Sequence, residues 1–252
     1  MKRPAISACI ITYNEEGNIR KCLESVEWTD EIVVVDSYST DNTFDIAKEY
    51  TKHVIQRDWP GHVAQKNNAL DCATNEWVLS LDADERVSPE LRKEIETELQ
   101  EKDLPWDGFY ISRRTFYLGR WIRHGGWQPD IKLRLFKKSK GRWGGKDPHD
   151  KVILDGKAKT LRSLIYHYNY RDLSHQIATI ESYSKISSTE LFKEGKKVRF
   201  SYLLLRPPLR FLRDYILKQG FRDGWPGLII AVNTSFYVFI KYAKLWELQK
   251  KR

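Results

Sequence analysis

Apolar positions in the first hundred residues follow two alternating periods. Ile6 to Thr12 is a continuous apolar, β-branched run. Ile19, Cys22, Leu23 and Val26 then recur at i, i+3, i+4 and i+7, one face of a helix. Glu31 to Asp36 shows no polar alternation, which predicts a strand covered on both faces, as in a parallel sheet. Thr40 or Asp41 can cap a helix carrying Phe44, Ala47 and Tyr50, and His53 to Gln56 reads as a third strand. Val63, Leu70 and Ala73 line another helix, and Glu76 to Leu81 is a fourth strand. Ser88-Pro89 opens a further helix, with an N-cap, a proline at the first helical position, and an apolar face of Leu91, Ile95 and Leu99. Strands and helices in this alternation predict βαβ units, whose ligands bind beyond the carboxyl ends of the strands. Those ends carry Thr12-Tyr13-Asn14-Glu15, Asp36-Ser37 and Asp82-Ala83-Asp84-Glu85.

After about residue 105 the pattern changes. Gly108 to Arg113 and Lys132 to Phe136 alternate like half-buried strands. Between them lies a glycine- and aromatic-rich loop, Trp121 to Asp130. A second loop, Gly141 to Asp150, leads into Lys151-Val-Ile-Leu154. Leu173 to Leu191 is weakly amphipathic and helical in pattern. Pro207-Pro208 is expected to break the chain, with two short helices at about 208–219 and 226–246. Leu228 to Ile240, 13 residues containing Asn233-Thr-Ser, reads as too short and too polar to span a bilayer.

The 252 residues suffice for one or two domains with a core needing no disulfide or structural metal. At 31% charged and 41% hydrophobic, the composition excludes a disordered or collagen-like chain and a polytopic membrane protein. The net charge of +9 is unevenly placed. Residues 1–189 balance, and from Glu190 onward fourteen Lys and Arg face five Asp and Glu, with twelve of the aromatics. Such a tail suits an anionic surface. Cys9, Cys22 and Cys72 have no CxxC spacing; they read as small buried hydrophobes in a reducing cytoplasm. Met1-Lys-Arg-Pro meets a strand-like run with no signal-peptide core.

The strongest chemical signal is Asp82-Ala83-Asp84, two carboxylates where a buried strand ends. Hard oxygen ligands there suit Mg²⁺ or Mn²⁺, which keep positions open for substrate phosphates. Outside this context the tripeptide also reads as a solvated acidic turn ahead of the Ser88 helix. Asp36 ends a strand where an acid commonly accepts bonds from a nucleotide's ribose or base; an Asx turn is the alternative. No G-x-G-x-x-G follows an early strand and no G-x-x-x-x-G-K-[ST] occurs, which argues against NAD enzymes and P-loop NTPases.

Ile10-Ile-Thr-Tyr-Asn-Glu-Glu16, Glu31-Ile-Val-Val-Val-Asp-Ser37, Gln65-Lys-Asn67, Glu76 to Glu85 and His124-Gly-Gly-Trp-Gln-Pro-Asp130 resemble glycosyltransferase family 2. The match is most similar to the bacterial lipopolysaccharide inner-core beta-1,4-glucosyltransferases and extends to Lys218–Gly224. The resemblance implies an α/β chain of the GT-A nucleotide-diphospho-sugar transferase fold, a Rossmann-like mixed sheet flanked by helices, with a C-terminal amphipathic helical extension. It implies a catalytic domain over 1–190, divided into a nucleotide-sugar half (1–104) and an acceptor half (105–190), and a basic helical tail over 191–252. It places Thr12, Tyr13, Asn14 and Glu15 around the uracil of a UDP-sugar, Asp36 on base or ribose, Lys66 near the nucleotide where the family often has Arg, and Asp82 and Asp84 at the metal. Asp84 is the firmer ligand and Asp82 the one nearer the ribose. Inversion by single displacement, implied by the family, needs a general base on the acceptor hydroxyl. Candidates are Asp130, Asp147 and Asp150; Asp150 is favoured because related members carry His-Glu before a strand and this chain has His149-Asp150. His149 could also contact the metal or phosphate, and Trp127 could stack on a sugar face.

In the tail, Arg206, Arg210 and Arg213 lie beside an apolar stripe of Leu209, Leu212 and Ile216, the pattern of an interfacial helix. The expected protein is a UDP-glucose-dependent transferase acting on a lipid-linked glycan, an inner-core heptose, and peripheral on the cytoplasmic face of the inner membrane. A polyprenyl-phosphate or other envelope-glycan acceptor is the alternative within the class. Nucleic-acid binding by the tail, the alternative outside it, lacks any reader motif.

Overall fold

A computed structural model of the protein describes residues 3–146 and 149–251, without the side chains of Lys146 and His149. Eleven strands and seven helices follow in order: β1 (Ile6–Thr12), α1 (Ile19–Glu24), β2 (Glu31–Asp36), α2 (Thr43–Tyr50), β3 (Val54–Gln56), α3 (His62–Cys72), β4 (Trp77–Asp82), β5 (Glu85–Val87), α4 (Pro89–Glu98), β6 (Gly108–Tyr117), β7 (Arg120–Trp121), β8 (Asp130–Lys137), β9 (Gly141–Lys146), β10 (His149–Leu154), β11 (Ala158–His167), α5 (Leu173–Lys193), α6 (Phe200–Leu212) and α7 (Gly224–Lys250). The chain divides into two compact units. One comprises residues 1–114 and 130–169; the other comprises 115–129 and 170–252.

In the first unit the strand order is β3-β2-β1-β4-β8-β6-β11-β5. The four early strands are parallel, and β8 turns the sheet antiparallel by pairing with β4 and β6. β1 is buried at all seven positions, as its unbroken apolar run requires. Helices cover both faces. Ile19, Cys22, Leu23, Leu91 and Ile95 pack on one side of the sheet, and Ala69 and Leu70 of α3 on the other. The Ser88 hydroxyl accepts the Leu91 amide, the expected N-cap ahead of Pro89. Cys9 and Cys22 are buried, and burial pushes both thiols up, so they behave as core hydrophobes.

β5 and β11 have no counterpart in the sequence reading, and the stretch from Gly141 to Asp150, expected to be a loop, carries β9 and the start of β10. β5 is a three-residue strand immediately after the acidic turn, and β11 pairs antiparallel with it. A separate two-stranded ribbon, β9 and β10, is tied to α3 by Asn67, whose side chain bonds both the amide and the carbonyl of Trp143.

In the second unit α5, α6 and α7 pack together, and α5 runs unbroken through residue 190. The expected break at Pro207-Pro208 does not occur: α6 continues through both prolines and passes into a π-helical turn at Arg213–Leu217. Each proline removes one intrahelical donor, and the other eleven residues of α6 hold the helix without them. The carbonyl of Pro207 accepts the Ser235 hydroxyl of α7. The short helix expected at 226–246 is also corrected. α7 has 27 residues, and with the 3₁₀ turn before it forms a segment, Gly220–Lys250, long and apolar enough to cross a membrane. Gly227, Ile230, Ala231, Val238 and Leu245 bury one face of it inside the unit. A smaller core gathers Tyr117 and Ile122 with Ile230, against Trp127 and Tyr170.

Candidate active site

The site is built at the carboxyl ends of β1, β2 and β4. At β4 the chain turns through Asp82-Ala83-Asp84-Glu85, and the Glu85 side chain closes the turn by accepting the Asp82 amide at 3.0 Å. Glu85 is fully buried. It holds two arginines, Arg113 of β6 at 2.7 Å and Arg134 of β8 at 2.5 Å. The antiparallel register of β11 on β5 sets His167 opposite Glu85, and the Tyr168 amide donates to the Asp84 carbonyl. His167 Nε2 therefore lies 3.3 Å from Asp84 Oδ2.

The two aspartates of the turn have different surroundings. Asp82 faces three cations: Lys66 Nζ at 3.1 Å, Arg134 Nη2 at 2.9 Å and Arg113 Nη1 at 3.9 Å. Burial alone would raise its pKa, but these charges override it and hold the carboxyl well below the usual range. Asp84 is partly buried, which alone would raise its pKa, and His167 lowers it against the opposing charge of Asp82. Its Oδ1 has no protein hydrogen-bond partner, nor has His167 Nδ1. Buried polar atoms without partners are uncommon and mark a place where a ligand can complete the set.

Among the described residues no group of three His, Cys, Asp or Glu side chains is placed to hold a metal ion. The atoms here that could meet one ion are the Asp84 carboxylate and the His167 Nε2 that faces it. Two protein donors fit Mg²⁺ or Mn²⁺ at a diphosphate, because such ions take few protein ligands and leave the rest of the shell to phosphate oxygens and water.

Lys66 links this turn to the ribbon. Its ammonium lies 2.7 Å from Asp150 Oδ2 of β10 as well as on Asp82, and 4.4 Å from the centre of the Trp143 ring. The structure thus brings Asp150, Lys66, Asp82 and Asp84 to one place. The carboxylate of Asp150 is paired with Lys66 rather than with its neighbour Lys151. Asp130 joins the same network through Arg113, at 2.6 Å. Arg134 Nε and Nη1 and the Thr12 hydroxyl are further buried atoms without a protein partner.

The remaining residues of the first unit divide by exposure. Tyr13 and Tyr38 are half exposed after the ends of β1 and β2. Asn14, in the left-handed region at φ 52°, accepts the Thr40 amide at its Oδ1 and donates its own backbone amide to Ser39 Oγ, so it ties two loops together. The Glu15 amide donates to Thr43 Oγ1, and its carboxylate accepts Asn18 Nδ2. Asp36 is fully buried and both its oxygens are engaged, by Ser39 and by Gln56 Nε2. The Ser39 amide it accepts lies three residues on. Asp147 and the His149 side chain lie outside the described residues. In the second unit the Trp127 ring packs on Tyr117 and Tyr170, with centroids 5.3 and 5.4 Å away.

Sequence reasoning missed His167, Arg113, Arg134, Trp143 and Tyr38. His167 ends a strand whose alternate positions Leu161, Ile165 and His167 are buried, and that alternation was the available signal. Arg134 sits in a run of four buried positions of β8, where a charge has to find a partner.

Residues 7–157 match the glycosyl transferase family 2 model. A lipopolysaccharide core biosynthesis glycosyltransferase, LpsC, of Rhizobium meliloti is 31% identical over 96% of this chain and 92% of its own length. The chain is a family 2 glycosyltransferase. An uncharacterized glycosyltransferase of Rickettsia typhi is 32% identical over 98% of this chain and 88% of its own. Among solved structures, the Pyrobaculum calidifontis mannosyltransferase PcManGT, in complex with GDP-Man and Mn²⁺, superposes with a TM-score of 0.58 at 14% identity, over 97% of this chain and 87% of its own. Staphylococcus aureus TarS 1-349, in complex with UDP-GlcNAc, does so with 0.52 at 18% identity, over 98% of this chain and 92% of its own. At such identities the likeness concerns the fold, which is the GT-A type expected for a family 2 glycosyltransferase.

Proposed function

We propose that this glycosyltransferase moves glucose, with inversion, from UDP-glucose to a hydroxyl of a lipid-linked glycan, an inner-core heptose of lipopolysaccharide. The observation that carries the proposal is the Asp84–His167 pair: a carboxylate with one buried oxygen free of protein partners, facing the ring Nε2 at 3.3 Å, beside a carboxylate ringed by cations at the ends of parallel strands. The relative named for lipopolysaccharide core biosynthesis supports the acceptor class, and the neighbours bound to UDP-GlcNAc and to GDP-Man with Mn²⁺ support a nucleotide-sugar donor.

In this reading residues 1–104 hold the donor, 105–190 the acceptor, and 191–252 meet the membrane. Tyr13 and Tyr38 offer exposed rings to the uracil. Asp36 and Asn14 hold the loops that present them, and Asp82 faces the ribose. Asp84 and His167 would hold Mg²⁺ or Mn²⁺, which would supply positive charge against the departing diphosphate. The unpaired donors of Arg134 add fixed positive charge in a largely water-excluded place. Asp150 is the general base. It accepts the proton of the acceptor hydroxyl as that oxygen bonds to the anomeric carbon; the bond from that carbon to the diphosphate oxygen breaks, and its electron pair leaves on UDP. Lys66 fixes the distance between the base and the donor side by bonding Asp150 and Asp82 together. The reaction takes place at the cytoplasmic face of the inner membrane, with the protein bound peripherally.

Hydrolysis of UDP-, GDP- and dTDP-sugars with Mg²⁺ or Mn²⁺ and with EDTA tests the reading. Metal-dependent turnover of UDP-glucose alone is expected. Turnover of a GDP-sugar alone, or turnover unaffected by EDTA, would overturn the donor or the metal assignment.

A further inference from the structure

In α6 the usual polarity of a packed helix is reversed. Its buried side chain is Pro207, and that of the following π turn is Asp214, whose carboxylate takes Arg210 and Arg213. The solvent side is apolar. Leu205, Leu209, Leu212 and Ile216, spaced four, three and four residues apart, form one stripe, each about half exposed or more. Phe200 at one end and Trp225 at the start of α7 are 79% and 78% exposed. An amphipathic helix of a soluble domain turns such a stripe toward its core; contiguous exposed apolar surface marks a partner.

The charges beside the stripe say which partner. Arg206, Arg210 and Arg213 each follow a stripe residue by one position, so they form a parallel row. Arg210 and Arg213 are neutralised by Asp214, whereas Arg206 lies over the Tyr202 and Tyr242 rings. Lys241 of α7 is near enough to be affected: burial, then Arg206 and Arg210, lower its pKa. Among the described residues neither Arg206 nor Lys241 has a carboxylate partner. A cationic cluster without counter-charge, bordering an apolar stripe with aromatic residues at its ends, matches a bilayer's phosphate layer and the acyl region beneath it. A second copy of the chain would bring like charges together. A spanning α6 would carry three arginines into the hydrocarbon, and a spanning α7 would carry Lys241 and Lys244.

We infer that the outer face of α6, with the first turn of α7, is a docking surface for an anionic lipid bilayer, lying in the plane of the headgroups. Leu205, Leu209, Leu212 and Ile216 enter the acyl boundary, and Arg206 and Lys241 reach lipid phosphates. The inference deepens the proposed peripheral location and rests on the reading of a lipid-linked acceptor.

The test uses the full chain and vesicles of phosphatidylcholine, with and without phosphatidylglycerol. Co-sedimentation is expected with phosphatidylglycerol present and is weakened by salt. The triple variant Leu205→Gln, Leu209→Gln, Leu212→Gln lowers the partition coefficient about tenfold or more, with the melting temperature and donor hydrolysis unchanged. The pair Arg206→Gln, Lys241→Gln removes the preference for phosphatidylglycerol. Equal partition of wild type and triple variant would overturn the inference. So would a lipid-free dimer that the triple variant dissociates, or resistance of the membrane-bound protein to alkaline extraction. Donor hydrolysis without vesicle binding would overturn the docking surface and leave the transferase reading intact; binding without hydrolysis would do the reverse.

Discussion

At the scale of single residues, the two aspartates of the turn have different surroundings, and substitution tests whether they have different roles. Asp84→Asn removes the unpartnered oxygen while the amide can still meet His167. We expect transfer to fall by about a hundredfold or more, with the melting temperature little changed, and Mn²⁺ affinity measured by calorimetry to fall with it. His167→Ala should weaken Mn²⁺ binding in the same titration; unchanged affinity in both variants would remove the metal from this pair. Arg134→Met is a different kind of change. It leaves Glu85 and Asp82 with one fewer buried cation, and a broken buried pair typically costs about 3–5 kcal/mol. Urea unfolding of this variant should show that loss, and Arg134→Lys should recover much of it, since one nitrogen, Nη2, meets both carboxylates and a single ammonium can do the same. Asp84 was legible in the sequence because a buried strand ended there. Its imidazole partner was not, because His167 is 83 positions away and arrives through a pairing of β11 with a strand of only three residues.

At the scale of elements, what could be read depended on how much of each element's burial was local. Ile32 to Val35 announces a doubly covered strand, and α4 announces itself by Ser88 and Pro89. β5 carries Glu85 and Arg86, which no strand pattern suggests; partners far along the chain make it a strand. Pro207-Pro208 failed as a breaker for a related reason. Helix α7, packed alongside α6, holds the segment helical where local propensity argues otherwise. The close approach of α7 to the 3₁₀ turn before it can be probed directly. A Cβ at Gly227 would stand 1.9 Å from the Gly220 carbonyl oxygen, a backbone atom that cannot swing away. Gly227→Ala should therefore destabilise the second unit by about 3 kcal/mol or more, read as a lowered melting temperature. An unchanged melting temperature would mean that the two segments do not pack this way.

For the molecule as a whole, acid stability follows from the carboxylates. Asp82 and Asp84 have folded pKa values below the unfolded ones, as do Glu31, Asp41, Glu94 and Asp107. Groups of this sign stabilise the fold above the unfolded carboxylate range, near about 4. They lose that contribution as pH falls through the lower folded values. Thermal melts should be flat on the carboxylates' account above about pH 5 and fall steeply below about pH 4. Asp82→Asn should be less stable at neutral pH and show a shallower acid decline; an acid limb identical to wild type would dissociate Asp82 from it.

The second unit is drawn from two stretches of chain, and this has a consequence for synthesis. Tyr117, Ile122 and Trp127 leave the ribosome long before Tyr170 and Ile230, the residues that cover them. The amides of Arg123 and His124 wait likewise for Asp223, and that of Gly125 for the Lys218 carbonyl. At about 5–20 residues per second, roughly a hundred intervening residues leave this aromatic loop uncovered for about 5–20 s. A nascent chain stalled near residue 190 therefore displays an apolar loop whose cover has not yet been made, and a holdase has that interval in which to shield it.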